Sequence, residues 1–437
     1  MSPRMGRTGG SAARALGRGA TPRIVLAHDL YTWGSHGGLG VGSSPRSSPV
    51  AVGGTVNWAK VGMAYNSTFG IKTDGTLWTW GSGNAAYGSY GALGTNEASR
   101  SVPTQLGSDT NWSDIALDGA TYSDNVTHNF AIKSTGALYG TGRNDIGGPL
   151  GMGDTTDRTT LTANGTWTTG VAKMAGGYLT SALLSTSGSL YTAGNNGGGH
   201  PRGQGSLGLG DTTNRNTFTQ VGAGTDWTYI AAGGYNMAGI KSDGTLWTWG
   251  NNGAGALGYD STTFGNFCCR CINGPEEHRG CPNEGDESGR DGCHEPGETS
   301  EFYGCNAVIP RSSPVQVGAL TNWASVSVGV GHMVAVKTNG TLWAWGQNTS
   351  GQLGDGTNTS TSSPVQIGGL TTWAAGSAGA YHNLGLKTDG TLWAWGRNTS
   401  GQLGDGTTTN RNSPVQIGTL TNWAQIECGQ DGSAAIT

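Results

Sequence analysis

Cysteine is the residue type in this sequence whose spacing most suggests chemistry. Of the 7 Cys in the chain, Cys268, Cys269, Cys271, Cys281, Cys293 and Cys305 share one short acidic stretch with His278 and His294. Cys268-x-x-Cys271 has the spacing of a zinc-ligand pair, and Cys293 with His294 could complete a tetrahedral set. The second Cys-x-x-Cys pair that would normally follow is missing. Six cysteines so close together also fit a disulfide-stapled loop, which would require an oxidising compartment. The composition shifts so abruptly there that an unstructured segment fits as well. Connectivity cannot be read from spacing, so the three readings stay open. Cys428 stands apart from this group and aligns with Ala378, as a small buried core residue would.

Other chemically capable side chains recur at fixed registers. His128, His332 and His382 occupy one place in three copies of a repeat, which suits a packing and hydrogen-bonding device better than a proton carrier or ligand. Asp355 and Asp405 in "LGDGT", with Asp154 and Asp211 in "GDTT", lack the dense alternation of a calcium loop and read as Asx-turn caps. "GQLGDG" has no Lys-Ser/Thr and opens no helix, so it is no phosphate loop. The pairs Trp343/Trp345 and Trp393/Trp395 lie two residues apart and point to one sheet face. Their recurrence indicates packing between sheets, with sugar stacking as the minor alternative. No Ser/His/Asp set in a recognised spacing and no cofactor fingerprint is present, so the sequence offers no catalytic residue and implies no cofactor.

These side chains are carried by a repeat. "NGTLWAWGQNTSGQLGDGTNTSTSSPVQIG" begins at Asn339 and "DGTLWAWGRNTSGQLGDGTTTNRNSPVQIG" at Asp389. Shorter relatives begin at Asp74, Thr135, Ser187 and Asp243, and a truncated copy, "HDLYTWG", begins at His28. A second marker is the tryptophan of "NW", "TW" or "DW", at Trp58, Trp112, Trp167, Trp227, Trp323, Trp373 and Trp423. The successive spacings are 54, 55, 60, 96, 50 and 50 residues, and the 96 contains the cysteine-rich insertion at about 262–309. These markers and the LWxWG-type strings account for all 16 Trp.

Each copy reads as four short strands. "WASVSVG" and "HMVAVK" alternate as half-buried strands do, and "LWAWG" follows a turn at Asn339-Gly340. Asn-Gly and Asp-Gly between such runs predict a type I′ hairpin, with positive φ at both central residues. "SPVQIG" supplies a last strand, which tolerates Pro at an edge. Seven copies predict an all-β fold: a seven-bladed β-propeller of four-stranded antiparallel blades. The chain stops at Ala435-Ile436-Thr437, in register with Gly385-Leu386-Lys387, and the first copy starts just after that point at Leu30. The ring is therefore expected to close in the manner of WD-repeat propellers, with N- and C-terminal strands sharing one blade and leaving no open edge.

Charge divides the chain unevenly. Residues 1–27 hold five Arg and no acid, which reads as a disordered tail, with a targeting peptide as the alternative. The stretch 264–309 carries nine acids against three Arg, and the whole chain has a net charge of −4. The body at 28–437 is close to neutral outside the insertion, so it offers no electrostatic footprint for nucleic acid. No apolar run is long enough to span a membrane.

The string Gly-x-x-His…Lys-Thr-Asp-Gly-Thr-Leu-Trp-Ala-Trp-Gly…Asn-Thr-Ser-Gly-Gln-Leu-Gly-Asp-Gly-Thr at 379–407 resembles the regulator of chromosome condensation repeat family. The resemblance covers about residues 28–437 apart from the insertion. It implies a propeller whose face binds a macromolecule. Family members include a chromatin-bound exchange factor for a small GTPase, a plant ultraviolet receptor and a secreted bacterial β-lactamase inhibitor. The receptor's Gly-Trp-Arg-His-Thr repeats are absent here, and the exchange factor's wedge has no matching positions, so no functional residue carries over. The expectation is a monomeric, non-enzymatic scaffold with a protein partner, recognised through one propeller face and the insertion that bears Cys268, Cys269, Cys271, Cys281, Cys293 and Cys305, after the fifth copy. Nucleotide exchange on a small GTPase is the first alternative, and a cell-surface or virion structural protein the second. The compartment stays open between extracellular or virion-associated and cytoplasmic.

Overall fold

The alternating run that starts at each marker tryptophan forms the innermost strand of a blade, and the rest of the copy folds outward from it. Trp323–Val328 pairs antiparallel with His332–Lys337, then Leu342–Gly346, then the outer strand Thr361–Gln366. A computed structural model of the chain describes residues 28–35, 37–42, 44–53, 57–82, 91–118, 127–197, 204–259 and 310–437. It contains seven four-stranded sheets. The expected tail at 1–27 and the six cysteines of the insertion lie outside the described residues.

Blades are named here by the first residue of the inner strand. They begin with Trp58–Met63, Trp112–Leu117, Val171–Gly177, Trp227–Gly233, Trp323–Val328 and Trp373–Ala378. The closing blade takes Gln425–Cys428 and Gly432–Ile436 from one end of the chain and Leu30–Gly34 and Arg46–Ala51 from the other. Leu30–Gly34 pairs with Gly432–Ile436 in unbroken antiparallel register, from Leu30↔Ile436 to Gly34↔Gly432. The ring is complete, because Gln425 Nε2 donates to the Val61 carbonyl of the next blade at 3.0 Å. Closure follows from edge chemistry: strands from both ends satisfy backbone groups that either would leave open.

Three sequence expectations change. Trp167 does not begin an inner strand; Val171 does, in register with Ser185, where Trp58 pairs with Lys72. The Trp167 ring still packs edge-on to Tyr191 at 4.9 Å, so its position was bought by a longer loop rather than by strand register. The hairpin turn is not type I′. Gly340 has φ +76°, but Asn339 does not have positive φ, because Leu179 and Ala254 are the non-glycine residues that do among those described. Gly340 N donates to Lys337 O at 2.8 Å and Lys337 N to Thr341 O at 3.0 Å, which makes a three-residue type I turn ending in a left-handed glycine. Asn339 Oδ1 accepts from the Thr341 amide and hydroxyl, a cap that a positive-φ residue is not needed for. Finally, the insertion interrupts a blade rather than following one. It joins Leu246–Gly250 to Arg311–Gln316, which pair directly through Trp247↔Gln316 and Gly250↔Arg311.

The core lies between blades. Val334, Val336, Leu342, Leu353 and Ile367 of one blade pack on Trp373, Ala378 and Trp395 of the next. Trp33, Trp58, Trp80, Trp249, Trp345 and Trp395 are fully buried. Each such burial removes about 150–250 Å² from water, or about 4–6 kcal/mol of transfer free energy. In three blades the second indole of the LWxWG-type string also bonds backward across the seam: Trp33 Nε1 donates to Gln402 O at 2.9 Å, Trp345 to Ala256 O at 3.0 Å and Trp395 to Gln352 O at 3.1 Å. The glycine of "QLG" makes this approach possible. Gly404 has φ +77°, and a Cβ there would sit 2.7 Å from Trp33 Nε1. Gly354 stands in the same relation to Trp395.

Candidate functional site

The register histidines are inter-blade clasps. His128 Nε2 meets Ser181 Oγ at 2.8 Å, His332 meets Asn383 Oδ1 at 2.9 Å and His382 meets Ser433 Oγ at 2.9 Å, each partner on the following blade. Burial pushes His128 and His332 down to about 4, so both are neutral. Near His128 the fold assembles a set that the sequence did not reveal. Asp118 Oδ2 lies 3.9 Å from His128 Nδ1, in line with Ser181. Asp118, His128 and Ser181 are all completely buried, and both Asp118 oxygens lack a hydrogen-bond partner. The complete burial of all three leaves no room for a substrate, and His382–Ser433 repeats the hydroxyl contact. Burial raises the Asp118 carboxyl well above the usual range. Asp118 takes the register that Gly329 and Gly379 fill in other blades, where a Cβ would strike the histidine ring. Comparing the repeats position by position would have found it.

The loop aspartates are occupied. Asp405 Oδ1 accepts from the Thr407 amide, the Thr407 hydroxyl and Asn398, while Arg411 binds Oδ2. Asp154 and Asp211 hold Arg158 and Arg215 at 2.6 Å, and Asp355 accepts from the Thr357 amide at 2.9 Å. The Arg158 bond, with the Thr156 amide, keeps Asp154 below its ordinary carboxylate value. Among the described residues no three His, Cys, Asp or Glu side chains converge as a metal site would require. Cys268, Cys271, Cys293 and His294 are outside that statement. Cys428 is buried, and its Sγ donates to Ser377 O at 3.3 Å.

The two tryptophans of a pair differ in task. Trp345 and Trp395 fill the blade interface, whereas Trp343 and Trp393 are half-buried near the blade end. There Lys337 lies 3.5 Å above the Trp343 ring and Lys387 3.5 Å above Trp393, each also facing the marker indole. Desolvation lowers both ammonium groups. This lysine–tryptophan sandwich, repeated with Lys72 and Lys241, was not read from the sequence, although Lys precedes each turn at constant spacing. In the Trp323 and Trp373 blades the lysine covers a ring face on which a sugar would stack.

Open space lies beside Trp227, Trp247 and Lys241, about 410 Å³, and in the central channel, about 520 Å³, lined by the inner strands. The channel's polar wall is uneven: Lys60, Asp114, Lys173 and Tyr229 on one arc, Ser327 and Ser377 on the other, and Glu427 from the closing blade.

The Regulator of chromosome condensation (RCC1) repeat matches residues 339–386 and 389–436, and a second pattern of that description matches 227–256, 323–352 and 373–402. These matches place RCC1 repeats within residues 227–256 and 323–436. The chain is 30% identical over 261 residues to the RCC1 domain-containing protein RUG3, mitochondrial, of Arabidopsis thaliana, covering 54% of this chain and 53% of that protein. It is 29% identical over 336 residues to the Ultraviolet-B receptor UVR8 of the same plant, covering 75% and 62% respectively. The chain thus spans less than two thirds of the length of these curated relatives. Among solved structures it shares its fold with human WBSCR16, with TM-score 0.71, 18% identity and coverage of 94% and 99%. Prp20p of Saccharomyces cerevisiae gives TM-score 0.70 at 17% identity, with coverage of 94% and 92%. Among the described residues no helix is long and apolar enough to cross a membrane.

Proposed function

We propose that this RCC1-repeat propeller is a non-enzymatic protein-binding scaffold, using one face and the insertion of the Trp227 blade for recognition. One observation carries the reading. Leu320, Leu370 and Leu420 are 46%, 50% and 43% exposed and stand at one register of three consecutive blades. The loops that hold them, 317–322, 367–372 and 417–422, contain no charged residue. The hairpin turns share this face, since Gly340 and Gly390 press against the carbonyls of Thr371 and Thr421. An uncharged row of exposed leucines on a rigid frame is what a protein interface needs at its centre. The outer strand Arg311–Gln316 separates the point at which the chain rejoins this blade after the insertion from the loop that holds Leu320.

A second reading, nucleotide exchange on a small GTPase, is supported by the shared fold with Prp20p, which binds Gsp1p and histones. Cross-linking capture with the full chain and with a Leu320→Ser/Leu370→Ser/Leu420→Ser variant tests the first reading. A partner held by the parent is expected to be lost from a variant of unchanged circular dichroism; undiminished capture removes the face from the proposal. Acceleration of guanine-nucleotide release from a purified small GTPase would favour the second reading instead.

A further inference from the structure

The charged groups of the central channel do not all find partners. Inward positions fall in two layers, with Lys60, Asp114, Lys173 and Tyr229 in one and Glu427 one layer deeper. Lys60 Nζ and Asp114 Oδ1 satisfy each other at 2.5 Å. Lys173 lies 3.9 Å above the Tyr229 ring, and neither it nor Glu427 has an ion-pair or hydrogen-bond partner among the described residues. The two stand three blades apart on the ring, close enough to feel each other's charge but too far to pair. The opposite wall carries Ser327, Ala375 and Ser377, whose short side chains leave the space empty. Both serine hydroxyls already accept from the next blade, at Ala378 N and Cys428 N.

We propose that the channel binds a small zwitterion, with its ammonium on Glu427 and its carboxylate on Lys173. A cavity of about 520 Å³ falls within the range of about 300–1,000 Å³ typical of small-molecule sites. A lone cation would face the Lys173 ammonium, and a lone anion would leave the Glu427 carboxyl without a partner. A molecule carrying both charges relieves both unpaired groups at once. Burial pushes the Glu427 carboxyl up to about 8, with Lys173 pulling it down and Asp114 pushing it further up. Ligand binding therefore requires ionisation of Glu427 and releases a proton at neutral pH, in a channel whose other titratable walls are Lys60, Asp114, Lys173 and Tyr229.

Calorimetry on the full chain with glycine, β-alanine, 4-aminobutyrate and 6-aminohexanoate, against n-butylamine and butyrate, tests this. One length in the zwitterion series should bind best, with proton release seen as a buffer-dependent enthalpy, and neither half should match it. Glu427→Gln and Lys173→Met should each weaken binding at least about tenfold, the loss of one charge-assisted hydrogen bond. The exchanged pair Lys173→Glu/Glu427→Lys should recover it, which guards against a variant that merely misfolds. No binding of any zwitterion at millimolar concentration, equal binding of either half, or binding indifferent to Glu427→Gln in a folded variant overturns the proposal.

Discussion

Replacing Gly404 by alanine should loosen the interface between the Trp373 blade and the closing blade. Gly404 lies at φ +77° and its added Cβ would stand 2.7 Å from Trp33 Nε1. Gly418 is the control, with φ +63° and nothing within 4 Å of its added Cβ. Both alanines meet the left-handed backbone penalty of about 1–2 kcal/mol, and both restrict the unfolded chain equally. Only Gly404→Ala displaces an indole from a filled interface, at about 1–3 kcal/mol. It also strains the Trp33–Gln402 hydrogen bond, worth about 1 kcal/mol. Gly404→Ala should thus cost about 2–4 kcal/mol more than Gly418→Ala. Urea unfolding followed by tryptophan fluorescence measures the difference, provided that the transition is two-state with an unchanged slope. Equal losses in the two variants would refute the reasoning that loop glycines exist to seat the neighbouring indole.

The histidine clasp predicts a pH effect. His332 is neutral in the fold, with a value of about 4 against an ordinary 6.5, so the unfolded state binds the extra proton and this contribution is present above 6.5 and lost as pH falls toward 4. Glu427 and Asp118 are shifted upward and act with the opposite sign, so the informative quantity is a difference. Across that window the stability gap between parent and His332→Gln should change by about 1.4 kcal/mol per pH unit, as read by urea titrations at each pH; a constant gap would remove the assignment. Deleting 262–309 and joining the flanks with a loop copied from the Trp323 blade should leave the propeller folded, because Gly250 and Arg311 are already strand partners. Circular dichroism should be unchanged while partner capture alters, and unfolding on deletion would show the insertion to be structural.

Repetition made the architecture legible. A copied string with period-two alternation and a turn after each second strand could bury its faces only against its own copies, which fixed blades, blade count and the sharing of the last blade between the chain ends. The placement of the LWxWG tryptophans between sheets followed from their recurrence. Local compensation was not legible: Trp167 looked like the other markers, yet Val171 holds the strand register, and Asn339-Gly340 looked like a type I′ turn, yet the Asn339 side chain caps a longer one. The chemistry of the channel was beyond reach for a different reason. Lys60, Asp114, Lys173 and Glu427 are far apart in sequence and unremarkable within their own copies. Only the closed ring brings side chains from separate blades to one axis, where burial and unpaired charge give them a meaning that no single repeat contains.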